Sequence, residues 1–133
     1  MRSLIVEDEF TSRALLQKLL SRYGECDVAV SAEEAVRAFC EAMKSGHPYG
    51  LVCMDIRLPG MNGVEAVRTM RDMEEAHGVY STYGARILMT TASGGPDAVM
   101  DSFSALCDGY FVKPIDTEIF HGELRRLGLI PAS

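Results

Sequence analysis

Short apolar runs alternate along the chain with longer segments in which apolar residues return every three or four positions. The runs cover 4–6, 28–30, 51–54, 87–89 and 110–112. The middle ones show no polar alternation, as strands of a parallel sheet covered on both faces require. Between them, Leu15, Leu16, Leu19 and Leu20 repeat at helical spacing over 10–22. Ala32, Ala35, Val36, Phe39 and Met43 form a second stripe over 32–44, and Val64, Val67 and Met70 a third over 63–77. Val99, Phe103 and Leu106 continue the pattern over 97–106, and Ile119, Phe120, Leu124 and Leu127 over 116–127. Ser31 followed by Glu34 is a capping-box start. Asn62 caps the third helix, and Gly128 stops the last. The stretch 76–85, with Gly78, Tyr80, Ser81, Tyr83 and Gly84, is a loop or helix extension.

Strand and helix thus alternate five times. That order predicts an α/β fold: a doubly wound, five-stranded parallel sheet with helices on both faces and right-handed crossovers. A chain of 133 residues fits one domain over 1–133, with no internal repeat and no linker. Apolar residues are 47% and charged residues 24%, the balance of an ordinary globular protein. No stretch is apolar enough to span a membrane, and acid at Glu7 and Asp8 comes too early for a signal peptide. A cytoplasmic location is expected. The net charge of -6, with scattered Lys and Arg, argues against a nucleic-acid surface. Cys26, Cys40, Cys53 and Cys107 form no C-x-x-C pair and read as small core residues in a reducing compartment. His47, His77 and His121 read as surface residues near helix ends or in loops. The methionines fall largely at core spacing.

In an open α/β sheet, ligands bind beyond the carboxyl ends of the strands. Glu7, Asp8 and Glu9 follow the first run and Asp55 the third. Thr90, Thr91 and Ala92 end the fourth, and Lys113 and Pro114 follow the fifth. Gathered carboxylates raise one another's pKa unless a cation compensates. Oxygen ligands favour a hard ion such as Mg²⁺. A carboxylate can attack phosphorus and form an acyl phosphate. The added charge then needs donors, which a Thr hydroxyl, backbone N–H groups and a Lys supply. Glu9 fits a helix start, where its charge suits the dipole.

The segments LIVEDE (4–9), LVCMDIRLPGMNG (51–63), ILMTTA (87–92) and GYFVKPI (109–115) resemble, in order and over nearly the whole chain, the signature segments of bacterial two-component receiver domains. The resemblance is to the single-domain, chemotaxis-regulator-like members. It implies the flavodoxin-like strand order 2-1-3-4-5 and makes Asp55 the phosphoacceptor. Asp8 becomes the main side-chain ligand to Mg²⁺ (Mn²⁺ being an alternative), with Glu7 helping through water. Asp55 itself and the backbone carbonyl of Arg57 complete the metal set. Thr91, rather than Thr90, takes the family's hydroxyl position. Ala92 offers its N–H to the phosphoryl group, and Lys113 binds Asp55 before phosphorylation and the phosphoryl oxygen after it. The Lys113–Pro114 bond is typically cis in the family, and Tyr110 matches the switch aromatic, against the simpler reading of a core strand residue.

The resemblance also implies a histidine kinase or His-phosphotransfer protein as donor. The output protein, of unknown identity, would be met through the fourth helix, fifth strand and fifth helix. Such a protein is not a turnover enzyme: it catalyses only its own phosphorylation and dephosphorylation. It has no direct nucleic-acid or membrane contact, and is a monomer or weak homodimer. Glu7 stands where Asp is also common. Arg57 and Ser93 occupy positions that influence phosphoryl lifetime in the family. The Asp55–Thr91 stretch is longer than in minimal receivers, with the extra residues expected around 73–84, away from the site.

Other readings compete. A phosphate sink in a phosphorelay has the same sequence signature. An Asp-nucleophile phosphatase of the haloacid-dehalogenase type carries a second Asp two residues on, where Arg57 stands. A nucleotide-binding module needs G-x-G-x-x-G or G-x-x-x-x-G-K-[ST], and Gly94-Gly95-Pro96 is too short for either. Ser133 comes soon after the last helix with no output domain in view, as in a single-domain regulator, although a piece of a longer protein would read the same.

Overall fold

A computed structural model of the chain describes residues 1–79, 84–92 and 106–131. Its strands are β1 (Ser3–Val6), β2 (Cys26–Ala29), β3 (Leu51–Asp55), β4 (Arg86–Thr91) and β5 (Gly109–Val112). The described helices are α1 (Phe10–Ser21), α2 (Ala32–Lys44), α3 (Gly63–Ala76) and α4 (Thr117–Arg126). The sheet is parallel throughout, in the order β2-β1-β3-β4-β5. This is the order implied by the resemblance. The predicted fourth helix over 97–106, apart from Leu106, lies outside the described residues, as do Ser93, Gly94, Gly95, Pro96, Tyr80, Ser81 and Tyr83.

Strand boundaries depart from the apolar runs by a residue or two, because ladder hydrogen bonds are made by the backbone whatever the side chain. Polar Ser3 joins β1, pairing with Cys26 and Leu51. β2 sits earlier than expected, since its pairing with β1 ends at Ala29 and leaves Val30 exposed beyond the ladder. Asp55 is the last residue of β3 rather than the first after it.

Side chains of successive strand residues alternate between two apolar clusters. Leu4, Val6, Val52, Met54, Ile87 and Met89 pack with Ala35 and Phe39 of α2 and Val67 and Met70 of α3. Ile5, Leu51, Cys53, Leu88 and Phe111 pack with Leu16 and Leu20 of α1 and Phe120 and Leu124 of α4. Burying such a side chain is worth about 1.5–3 kcal/mol each. The same alternation sets the direction of the polar residues at the strand ends. Glu7, Asp55 and Lys113 share the parity of Ile5, Cys53 and Phe111, so they end on the side of the sheet that carries α1 and α4.

Each described helix has a side-chain cap. Glu9, Ser31, Asn62 and Asp116 accept from the N–H groups of Ser12, Glu34, Glu65 and Ile119. The chain leaves α4 through Gly128 at a φ of 74°. All four cysteines are free; Cys53 alone is buried, while Cys26, Cys40 and Cys107 are half-buried. His121 departs from the surface reading. It lies within α4 and packs edge-on to Tyr23, with ring centroids 6.0 Å apart. At the opposite edge of the sheet from the strand carboxyl ends, Arg71 of α3 donates to Glu74, Asp108 and the carbonyls of Ala85 and Leu106. Of the expected insertion over 73–84, residues 73–76 form the last turn of α3, and 77–79 and 84 lie between α3 and the start of β4, away from the carboxyl ends.

Candidate functional site at the carboxyl ends of the strands

Carboxylate oxygens of Glu7, Asp8 and Asp55 all lie within 4.8 Å of one another. Glu7 is fully buried, Asp55 is 4% exposed and Asp8 is open to solvent. Two of the three are held. Glu7 Oε2 accepts from the Glu9 N–H at 3.1 Å, and Asp55 Oδ1 from the Arg57 N–H at 3.2 Å. Lys113 bridges them: its Nζ forms an ion pair with Glu7 Oε1 and donates to Asp55 Oδ2 at 3.3 Å.

Burial pushes the Glu7 carboxyl above the usual range. Lys113 opposes that, and the neighbouring Asp55 adds to it. Burial by itself would lower the Lys113 pKa, but its hydrogen bond to Glu7 and the charges of Asp55 and Glu7 outweigh the loss and leave it raised. Lys113 therefore pairs with two of the three clustered carboxyl groups, and Asp8 has no share in that ion pair. Additional positive charge is favourable there, and the donors are all oxygen. That is the ligand chemistry of a hard divalent cation, and Mg²⁺ fits it. Glu9 stands apart from the cluster. It caps α1, and its bonds from Ser12 hold its pKa down.

The other sequence-predicted residues surround this cluster. Thr90 and Thr91 are both buried. The Thr91 carbonyl accepts from the Lys113 N–H at 2.7 Å, which ties the end of β4 to the base of the lysine. The Thr90 carbonyl accepts from the Ile56 N–H at 2.9 Å, just past Asp55. Ala92 is exposed and lines a cleft of ≈ 330 Å³ with Glu9, Ser12, Leu15, Lys113 and Pro114. The Lys113–Pro114 bond is cis. Arg57 is joined to Asp55 through its backbone while its side chain is exposed. Tyr110 is 55% exposed, so it is no core residue, and it pairs with Met89 rather than with either threonine.

Three supporting residues escaped the sequence reading. Gly63 begins α3 so close to the end of β3 that a Cβ would stand 2.2 Å from the Asp55 carbonyl oxygen. Its signal was a glycine at the first helical position, where it is not a favoured helix former. Glu33 of α2 accepts from the Met61 N–H at 3.2 Å and so steadies the loop after Asp55. Arg13 of α1 donates to the backbone carbonyls of Glu7 and Asp8. Neither contact has a sequence signal, since both join residues to backbone groups elsewhere.

Comparison with known proteins gives the same picture. The response regulator receiver domain family matches residues 3–125. The two-component response regulator 24 of Arabidopsis thaliana is 39% identical over 74 residues, 55% of this chain and 50% of that protein. The match thus spans half the length of that relative. A chemotaxis protein CheY homolog of Campylobacter jejuni is 28% identical over 124 residues, 93% of this chain and 89% of its own. Among solved structures, the receiver domain of the Arabidopsis histidine kinase CKI1, complexed with Mg²⁺ and BeF₃⁻, superposes with a TM-score of 0.74 at 25% identity. That match covers 93% of this chain and 89% of the other. The receiver domain of Saccharomyces cerevisiae Ssk1, solved with the histidine phosphotransfer protein Ypd1, reaches 0.78 at 27% identity, covering 96% and 88%. With that family match over nearly its full length, and with the strand order and clustered acidic residues described above, the chain belongs to the response regulator receiver domain family of two-component systems.

Proposed function

We propose that Asp55 accepts a phosphoryl group from a phosphohistidine on a histidine kinase or His-phosphotransfer protein, and that the domain signals through the change this makes. The observation that carries the reading is the state of Asp55. Its carboxylate is buried, held at one oxygen by the Arg57 N–H and at the other by Lys113, beside two further carboxyl groups. In the transfer, an Asp55 oxygen forms a bond to phosphorus as the phosphorus–nitrogen bond of the donor breaks. The donor imidazole keeps the electron pair and takes a proton from water.

Lys113 then moves its charge from the carboxylate to a phosphoryl oxygen, while the Thr91 hydroxyl and the Ala92 N–H donate to the others. Asp8, Asp55 and the Arg57 carbonyl would hold a Mg²⁺ ion, or Mn²⁺ on the same oxygen donors, with Glu7 helping through water, and the bound ion would supply positive charge beside the transferring group. Water attack on phosphorus returns Asp55, so the protein is a switch that resets rather than a turnover enzyme. Its output face is formed by the fourth predicted helix, β5 and α4, with Tyr110 as the residue that changes position. The domain itself makes no direct contact with nucleic acid or membrane, and signals through the protein that reads this face.

The relatives support this reading, since one is solved with Mg²⁺ and BeF₃⁻ and another with a phosphotransfer protein. The test is intact mass after incubation with acetyl phosphate. Wild type should gain one phosphoryl group with Mg²⁺ and none with chelator, and Asp55→Asn should gain none. A mass gain in Asp55→Asn, or none in wild type from either acetyl phosphate or a phosphorylated donor, overturns it.

A further inference from the structure

The three carboxyl groups of the site are not held alike. Glu7 is fixed by the Glu9 N–H and Lys113, and Asp55 by the Arg57 N–H and Lys113. Among the described residues the Asp8 carboxylate, exposed to solvent, has no such anchor. Its position is set instead by its backbone, and that backbone is engaged. Nη1 of Arg13 donates to the carbonyl of Glu7 at 3.1 Å and to that of Asp8 at 3.3 Å. These carbonyls belong to the two peptide groups on either side of the Asp8 Cα. Because peptide groups are planar, holding both leaves that Cα little freedom to reorient its side chain.

Arg13 is itself held. It is half-buried in the first turns of α1, its own N–H donates to the Glu9 carbonyl, and its guanidinium lies 5.6 Å from the ring centroid of Phe10. Phe10 is 72% exposed, so this contact rather than core packing occupies its ring face. The chain from Phe10 through Arg13 to the Glu7 and Asp8 carbonyls spans the β1–α1 turn.

We propose that Arg13 is a positioning residue for metal binding, orienting Asp8 by holding both peptide groups that flank it. The inference rests on the reading that Asp8 ligates Mg²⁺. Arg13 does not touch the reacting atoms. It is also a cation next to a cation site, and this makes the two ways it can act separable by sign. If it acted only through its charge, its removal would tighten Mg²⁺ binding. If it acts by positioning, its removal loosens it.

The experiment is calorimetric titration of the full chain with Mg²⁺ for wild type, Arg13→Gln and Arg13→Lys. Rates of modification by acetyl phosphate are then measured across Mg²⁺ concentrations. The Gln variant should bind Mg²⁺ about tenfold more weakly, the scale of one lost charge-assisted hydrogen bond. Its Mg²⁺ half-saturation should rise by a similar factor, and its rate at saturating Mg²⁺ should fall by less. Arg13→Lys keeps the charge but lacks the reach and the flat face over Phe10, and should fall between the two. Mg²⁺ binding by Arg13→Gln as tight as wild type, or tighter, overturns the proposal. So does a loss of thermal stability with the Mg²⁺ affinity unchanged. Where circular dichroism shows Arg13→Gln unfolded, Arg13→Lys is read by the same criterion. Absence of Mg²⁺ binding by wild type sinks the reading of the site itself, a different result from equal binding by wild type and variant.

Discussion

Lys113 at the end of β5 reaches over β4 to place its Nζ 3.3 Å from Asp55 Oδ2 at the end of β3, and the same nitrogen pairs with Glu7 from β1. One flexible four-carbon stem thus links the end of β5, across β4, to the ends of the neighbouring strands β3 and β1. The contact explains why two buried carboxyl groups are tolerated side by side: removing either from water is costly unless a cation stays close.

That balance predicts a pH dependence for Glu7. Its folded pKa is raised, so ionising it costs more in the folded than in the unfolded chain. The associated stability is present below the ordinary glutamate pKa and is lost as pH rises through the raised folded value. Glu7→Gln, which stays neutral, should match wild type near about pH 4 and be the more stable protein near about pH 7.5 without metal. Thermal melts at the two pH values measure this. Mg²⁺ should narrow the gap at neutral pH by stabilising wild type more. A gap that shrinks with rising pH in metal-free buffer contradicts the assignment.

Thr90 and Thr91 are both buried, yet it is the Thr91 carbonyl that accepts from the Lys113 N–H. Thr91→Ala should slow phosphorylation by acetyl phosphate on the order of a hundredfold, the scale of losing one donor to developing charge. Thr90→Ala should act mainly on stability. Initial rates by intact mass decide it, and a larger rate loss in Thr90→Ala would reassign the hydroxyl.

Gly63 leaves no room for a methyl group beside the Asp55 carbonyl. Gly63→Ala must push the end of β3 and the start of α3 apart. The expected cost is about 1–3 kcal/mol by urea denaturation. The rate of phosphorylation should fall as well, since the acceptor carboxylate moves with its backbone. Wild-type rates in a destabilised variant would show that the acceptor tolerates the shift.

Far from the site, Arg71 pairs with Glu74, whose side chain is 5% exposed. Arg71→Met leaves that carboxylate in the interior with, among the described residues, the Ala85 N–H as its remaining partner, at a cost of about 3–5 kcal/mol. Replacing Glu74 by Met as well should recover part of the loss. Denaturant midpoints for the single and double variants test the coupling.

The sequence by itself determined the alternation of strand and helix, the helix caps at Ser31 and Asn62, and the gathering of Glu7, Asp8, Asp55 and Lys113 at one edge. Each depends on periodicity or on short-range chemistry, both of which are written locally. Strand limits were less legible at β2, because pairing with β1 and not polarity sets where an edge strand ends. The place of His121 was hidden too, since its packing on Tyr23 joins residues far apart in the chain. Only the tertiary structure decided how the acidic residues are held. Lys113 bridges two strands, Gly63 fits against Asp55, and Arg13 grips the peptides around Asp8. Those relationships depend on distances between backbone groups that the strand order brings together, and no pattern of side chains along a chain encodes a distance.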